Sequence, residues 1–76
     1  MNAHKLKVKR VDTGYTQQQA ADFIGKSIGS YNKKEKGIVK FTDDEKAKLA
    51  QLLEMTDEEY LDIFLDGQLP TGKKAV

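Results

Sequence analysis

The sequence predicts an all-α fold, a compact bundle of about five short helices, on three observations. Thr16, Thr42 and Thr56 each stand three positions ahead of a Gln or Glu, at Gln19, Glu45 and Glu59, the spacing of a capping box. Apolar residues follow each pair at helical intervals. The six glycines fall mostly where such helices would stop, and the single proline, Pro70, lies near the carboxyl end. A chain of 76 residues has room for one small domain, placed here at residues 1–67, with residues 68–76 as a flexible tail.

Residues 5–13 are the ambiguous element. Leu6 and Val8 alternate as in a strand, whereas Val8 and Val11 fit the i,i+3 spacing of a helix; the segment is read as a helix ended at Gly14. Behind the Thr16 cap, Ala20, Ala21, Phe23 and Ile24 form an apolar face, and Gly25 is suited to the left-handed stop. Ser27 is the next cap, opening residues 28–35, with Gly37 as the stop. These two short helices are therefore joined by a three-residue turn containing glycine, which is a helix-turn-helix arrangement. After a linker at residues 38–41, the Thr42 box opens a helix with Ala47, Leu49, Ala50, Leu52 and Leu53 on its apolar face. The Thr56 box opens the last, with Tyr60, Leu61, Ile63, Phe64 and Leu65, stopped at Gly67. The expected core is Ala21, Ile24, Tyr31, Leu49, Leu52, Leu53, Ile63 and Phe64, with the Tyr31 hydroxyl reaching toward the surface.

Composition limits the chemistry. Without cysteine there is neither a disulfide nor a thiolate metal site, so helix packing or dimerisation must stabilise this small core. No apolar run is long enough to cross a bilayer and residues 1–10 lack an apolar signal-peptide stretch, so a cytoplasmic location is expected. His4 is the only histidine, in a segment expected to fray, and adjacent carboxylates such as Asp43 and Asp44 point in successive directions around a helix. The expectation is no enzyme, no cofactor and no metal.

The net charge of +1 conceals a polarised chain. Residues 1–40 carry nine Lys/Arg against three acids, net +6, and residues 41–76 carry four against nine, net −5. A basic half beside an acidic half suits either a polyanion on one face or a charged protein partner.

Residues 16–37 resemble the helix-turn-helix domain of phage Cro and C-type repressors, the XRE-like family. The resemblance rests on Thr16-Gln17, Ala21, Ile24-Gly25, Ser27, Ser30-Tyr31 and Glu35-Lys36-Gly37 in one ungapped register. The stretch from Tyr31 through Asn32, Lys33, Lys34, Glu35 and Lys36 to Gly37, with Phe41-Thr42 and the upstream Leu6-Lys7-Val8-Lys9-Arg10, is similar to a subgroup of small regulators from phages of Gram-positive bacteria. The resemblance covers residues 6 to about 67.

It implies a transcriptional regulator that binds operator DNA in a lysogeny-type switch within the bacterial host cell, at the nucleoid. The second helix of the motif would read the major groove through Ile28, Gly29, Asn32 and Lys33. Lys33 would donate to guanine O6 and N7, Asn32 would pair with adenine, and Ile28 would touch a thymine methyl. Gln17, Lys26, Ser27, Ser30, Lys36 and Lys40 would meet phosphates and position the protein without reading sequence. Gly29 departs from the family pattern, since relatives often present a polar side chain there, and glycine within a helix costs roughly 0.5 to 1 kcal/mol relative to alanine. One reading helix covers few base pairs, so a symmetric homodimer is implied, with Leu65 and Leu69 at its interface.

Small phage proteins of this fold also include antirepressors, which bind the partner repressor and block its contact with DNA. On that alternative the acidic second half, including Glu58 and Asp62, would meet the basic reading surface of the cognate repressor.

Overall fold

The computed structural model describes residues 1–66, and these form five α-helices: α1 (Ala3–Asp12), α2 (Gln17–Ile24), α3 (Ile28–Glu35), α4 (Asp43–Leu52) and α5 (Asp57–Phe64). No strand occurs among the described residues. The expected stop at Gly67, the tail at residues 68–76 and Leu69 lie outside them. No described helix is long and apolar enough to cross a membrane.

The three capping boxes form in full. The hydroxyls of Thr16, Thr42 and Thr56 accept from the amides of Gln19, Glu45 and Glu59 at 3.1 Å each, and those side chains accept in return from the threonine amides at 2.9 to 3.0 Å. Two otherwise orphaned donors are thereby satisfied at each helix start, which explains why helices of only eight to ten residues have sharp beginnings. Gly25 at φ 74° and Gly37 at φ 82° close α2 and α3. After each, two amides turn back onto the last helical carbonyls: Gly25 and Lys26 onto Asp22 and Ala21, Gly37 and Ile38 onto Lys34 and Lys33.

The ambiguous first segment is helical. The Asn2 side chain caps it by accepting from the Lys5 amide at 3.0 Å, and the Asn2 amide donates to the Ile63 carbonyl at 2.7 Å. The expectation of a frayed end at His4 is thus corrected: α1 is tied to α5 at its start. Lys5 to Asp62 at 2.7 Å and Lys9 to Glu59 at 2.8 Å continue the same seam.

α2 packs on α3 and α4, while α1 packs on α3 and α5. Between them lie Leu6, Ala20, Ala21, Ile24, Tyr31, Phe41, Leu49, Leu53, Ile63 and Phe64, all buried. Phe41 joins two layers of this core, edge-on to Tyr31 at 6.0 Å and to Phe64 at 5.9 Å between ring centroids. Tyr60 leans on Phe64 at 5.1 Å.

Four expectations about packing are corrected. Leu52 is only half-buried, because the inward row of α4 runs through Glu45, Leu49 and Leu53 at i,i+4 spacing and Leu52 sits beside it. Ala47 is exposed for the same reason. Phe23 is 43% exposed, since Ala20, Ala21 and Ile24 form the buried face of α2. The Tyr31 hydroxyl does not reach the surface: the residue is fully enclosed, and its oxygen makes no aligned hydrogen bond.

Candidate nucleic-acid interface

α3 divides into two faces by simple periodicity. Tyr31, Lys34 and Glu35, at i, i+3 and i+4, turn inward and are buried. Ile28, Gly29, Asn32, Lys33 and the following Lys36 occupy the opposite face; all are exposed except Asn32, which is half-buried. The four residues expected to read bases thus share one outward row. Nothing approaches the position of a side chain at Gly29, whose φ is not in the left-handed region.

Buried charge fixes how this row is held. The Arg10 guanidinium grips Glu35 with Nε to Oε2 at 2.8 Å and Nη2 to Oε1 at 3.2 Å, and donates through Nη1 to the Tyr15 carbonyl at 2.7 Å. Burial is the largest influence on Glu35 and opposes its charge, but the hydrogen bonds and positive charge of Arg10, together with Tyr31 and Gln17, jointly hold the carboxyl below its usual range. The same pairing raises Arg10 further. Tyr31, beside them, is pushed far above the ordinary phenol range by burial and by the Glu35 carboxylate. A second buried pair, Lys34 Nζ to Glu45 Oε1 at 2.6 Å, fastens α3 to α4. There too burial is the largest influence and opposes the Glu45 charge, and Lys34, the Thr42 amide and Lys26 together overcome it and hold the carboxyl below its usual range.

From Glu35 the polar contacts run outward. Gln17 Nε2 donates to Glu35 Oε1 at 3.5 Å, and Asn32 Nδ2 donates to Gln17 Oε1 at 3.2 Å. Gln17, expected from the sequence to meet a phosphate, therefore lies against Asn32 across the α2–α3 junction. Ser27 Oγ accepts from the Ser30 amide at 3.2 Å, so its own O–H remains available as a donor on the exposed turn.

The basic residues fall into two groups. Lys5, Lys9, Arg10, Lys34 and Lys48 have carboxylate partners, and Lys26 and Lys46 have looser ones in Glu45 at 3.7 Å and Asp43 at 4.0 Å. Among the described residues, the lysines without such a partner are Lys7, Lys33, Lys36 and Lys40. Three of these four lie on α3 or in the segment that follows it. Exposed apolar side chains accompany them: Ile28, Ile38 and Val39.

The proposed interface residues near the carboxyl end are dispersed. Asp62 is engaged by Lys5 and Leu65 is half-buried against the core, whereas Glu58 is exposed and has no ion-pair partner among the described residues.

Phe41, Arg10, Lys34, Glu35 and Glu45 are buried residues that sequence reasoning missed. For Lys34 and Glu35 a signal existed, since both continue the helical row that starts at Tyr31. For Phe41, within the irregular linker, no periodicity was present.

Comparison with protein-family models, with curated proteins and with solved structures finds no match to this chain.

Proposed function

We propose that the protein is a sequence-specific, double-stranded DNA-binding transcriptional regulator of the phage Cro/repressor type, with α3 as its reading helix. The observation that carries this reading is the sorting of charge. Interior and seam cations are neutralised within the protein, while among the described residues Lys33 on the outward face of α3, and Lys36 and Lys40 in the segment that follows it, are exposed without carboxylate partners. A phosphate backbone is the partner that rewards such an arrangement, because each neutralised phosphate releases a counterion. Asn32 and Lys33 supply donor and acceptor groups of the kind that recognise base edges in a major groove. Lys36, Lys40, the Ser27 hydroxyl and the start of α2 would hold the backbone on either side. Lys26 contributes less, being drawn toward Glu45.

The test is a mobility shift on the DNA flanking the gene, repeated over a range of salt. Affinity should fall steeply with salt, and Lys36→Ala or Lys40→Ala should weaken binding to all sequences while lowering the slope by about one for each phosphate no longer neutralised. Affinity indifferent to salt would reject phosphate docking.

Antirepression is the second reading, favoured by Ile28, Ile38 and Val39, which leave exposed apolar surface at both ends of α3. Ile38 is 71% exposed, and a protein partner would bury it more profitably than DNA would. Coprecipitation with a candidate repressor of the same genetic unit, set against mobility shift on operator DNA, separates the two.

A further inference from the structure

We infer that Gln17 is a positioning residue that fixes the polarity of the Asn32 amide, so that α3 favours adenine over guanine at one base pair. The inference rests on the DNA-binding reading above and departs from the expectation that Gln17 meets a phosphate.

Hydrogen-bond polarity is passed outward from the buried pair. Glu35, ionised and held by Arg10, can only accept. The end of the Gln17 amide that faces it must therefore be Nε2, as found at 3.5 Å. Gln17 Oε1 is then turned to the other side, where it accepts from Asn32 Nδ2 at 3.2 Å. Rotating the Asn32 amide by half a turn is disfavoured, because its oxygen would then oppose that of Gln17 and the 3.2 Å hydrogen bond would be lost. What Asn32 leaves unused is the acceptor Oδ1 and the second Nδ2 hydrogen. An acceptor beside a donor matches adenine, which offers the N6 amino group and N7 in the major groove. Guanine offers two acceptors, O6 and N7, so Oδ1 would face O6 unfavourably. The reversed amide would present two donors and match guanine. A charge buried between α1 and α3 thus sets which purine the surface residue accepts.

The experiment selects binding sites from randomised duplex DNA, then compares adenine and guanine variants of the best site by mobility shift. Asn32→Ala identifies the base pair concerned. Gln17→Met keeps a straight chain of similar length and helical preference while removing both hydrogen bonds. It should reduce the adenine-over-guanine preference at that same pair by about tenfold, with the salt slope unaltered. A loss equal for all sequences with a slope reduced by about one would make Gln17 a phosphate contact and overturn the inference. So would guanine at the selected position, or an altered preference at a different pair. If the parent protein binds no DNA, the proposed function fails by itself and the free protein decides the polarity. There, Gln17→Met should shift both side-chain amide proton resonances of Asn32 in the nuclear magnetic resonance spectrum; unmoved resonances in a folded variant would refute the lock.

Discussion

Lys34 and Glu45 meet at 2.6 Å in the interior, with only 9% and 5% of their side-chain surfaces exposed, and this contact fastens α3 to α4. Glu45 has two tasks at once, since the same Oε1 that accepts from Lys34 also accepts from the Thr42 amide to close the capping box. Removing one partner of a buried pair leaves the other charge desolvated and unpaired, whereas replacing both is far less harmful. Glu45→Gln retains an oxygen for the cap but leaves Lys34 uncompensated, and should cost about 3 kcal/mol of stability. Adding Lys34→Met to Glu45→Gln should restore most of that loss, because a flexible apolar chain then lies over Phe41 in place of the ammonium. Urea denaturation of the two single variants and the double variant measures the coupling; purely additive losses would refute it.

Acid should unfold the protein through these same carboxyls. Glu35 and Glu45 are both held below the ordinary carboxylate range in the fold, burial being outweighed by the combined hydrogen bonds and positive charges around them, Arg10 foremost for Glu35 and Lys34 for Glu45. The unfolded chain therefore takes up protons first as pH falls, and the stabilisation is complete above the unfolded value of about 4.3. It is lost as pH falls through the lower folded values. Urea midpoints should be level with respect to these groups from about pH 7 to 5 and decline below that. The decline should be smaller in the Lys34→Met, Glu45→Gln double variant, which retains the Glu35 contribution and that of Glu59, lowered by its hydrogen bonds from Lys9 and the Thr56 amide, but loses that of Glu45.

Gly29 offers a test in which stability and binding separate. Its backbone is not in the left-handed region, and an added methyl group would meet nothing within 4 Å. Gly29→Ala should therefore stabilise the free protein by roughly 0.5 to 1 kcal/mol, raising the thermal midpoint by about 5 °C. Weaker DNA binding by this more stable variant would locate a close approach of DNA to the α3 backbone. Destabilisation of the free protein would contradict the open surroundings of this site.

What the sequence revealed follows from the range of each interaction. Thr16 with Gln19, Thr42 with Glu45 and Thr56 with Glu59 are three-residue relationships, so the start of each helix was visible in the chain itself. The outward row of α3 was legible for a similar reason, because its positions recur within two turns. The Arg10–Glu35 pair joins residues 25 apart in sequence, and no local pattern announces it. Phe41 belongs to the core by virtue of where the linker crosses Tyr31 and Phe64, a fact of tertiary packing. Phe23 shows the converse: an apolar residue at a plausible spacing stays exposed because a two-turn helix has only one narrow contact face, already filled by two alanines and Ile24.

The two functional readings part at Lys33 and Glu58, which are both exposed and, among the described residues, without ion-pair partners, but lie on different helices. On the DNA reading, Lys33→Ala removes a base-edge donor and should cost roughly 1 to 3 kcal/mol at the selected site, relaxing preference at one base pair. Its thermal midpoint should stay close to that of the parent, because Lys33 contributes no packing. Glu58→Lys should leave operator binding intact or strengthen it slightly by removing a negative charge. On the antirepressor reading the pattern reverses: charge reversal at Glu58 weakens the complex with the repressor, and no operator binding exists for Lys33→Ala to reduce. Mobility shift and pull-down on the same two variants decide between them. Sequence-dependent loss in Lys33→Ala excludes antirepression as the sole activity. Loss of the protein complex in Glu58→Lys, from a parent that never binds the operator, excludes the DNA reading.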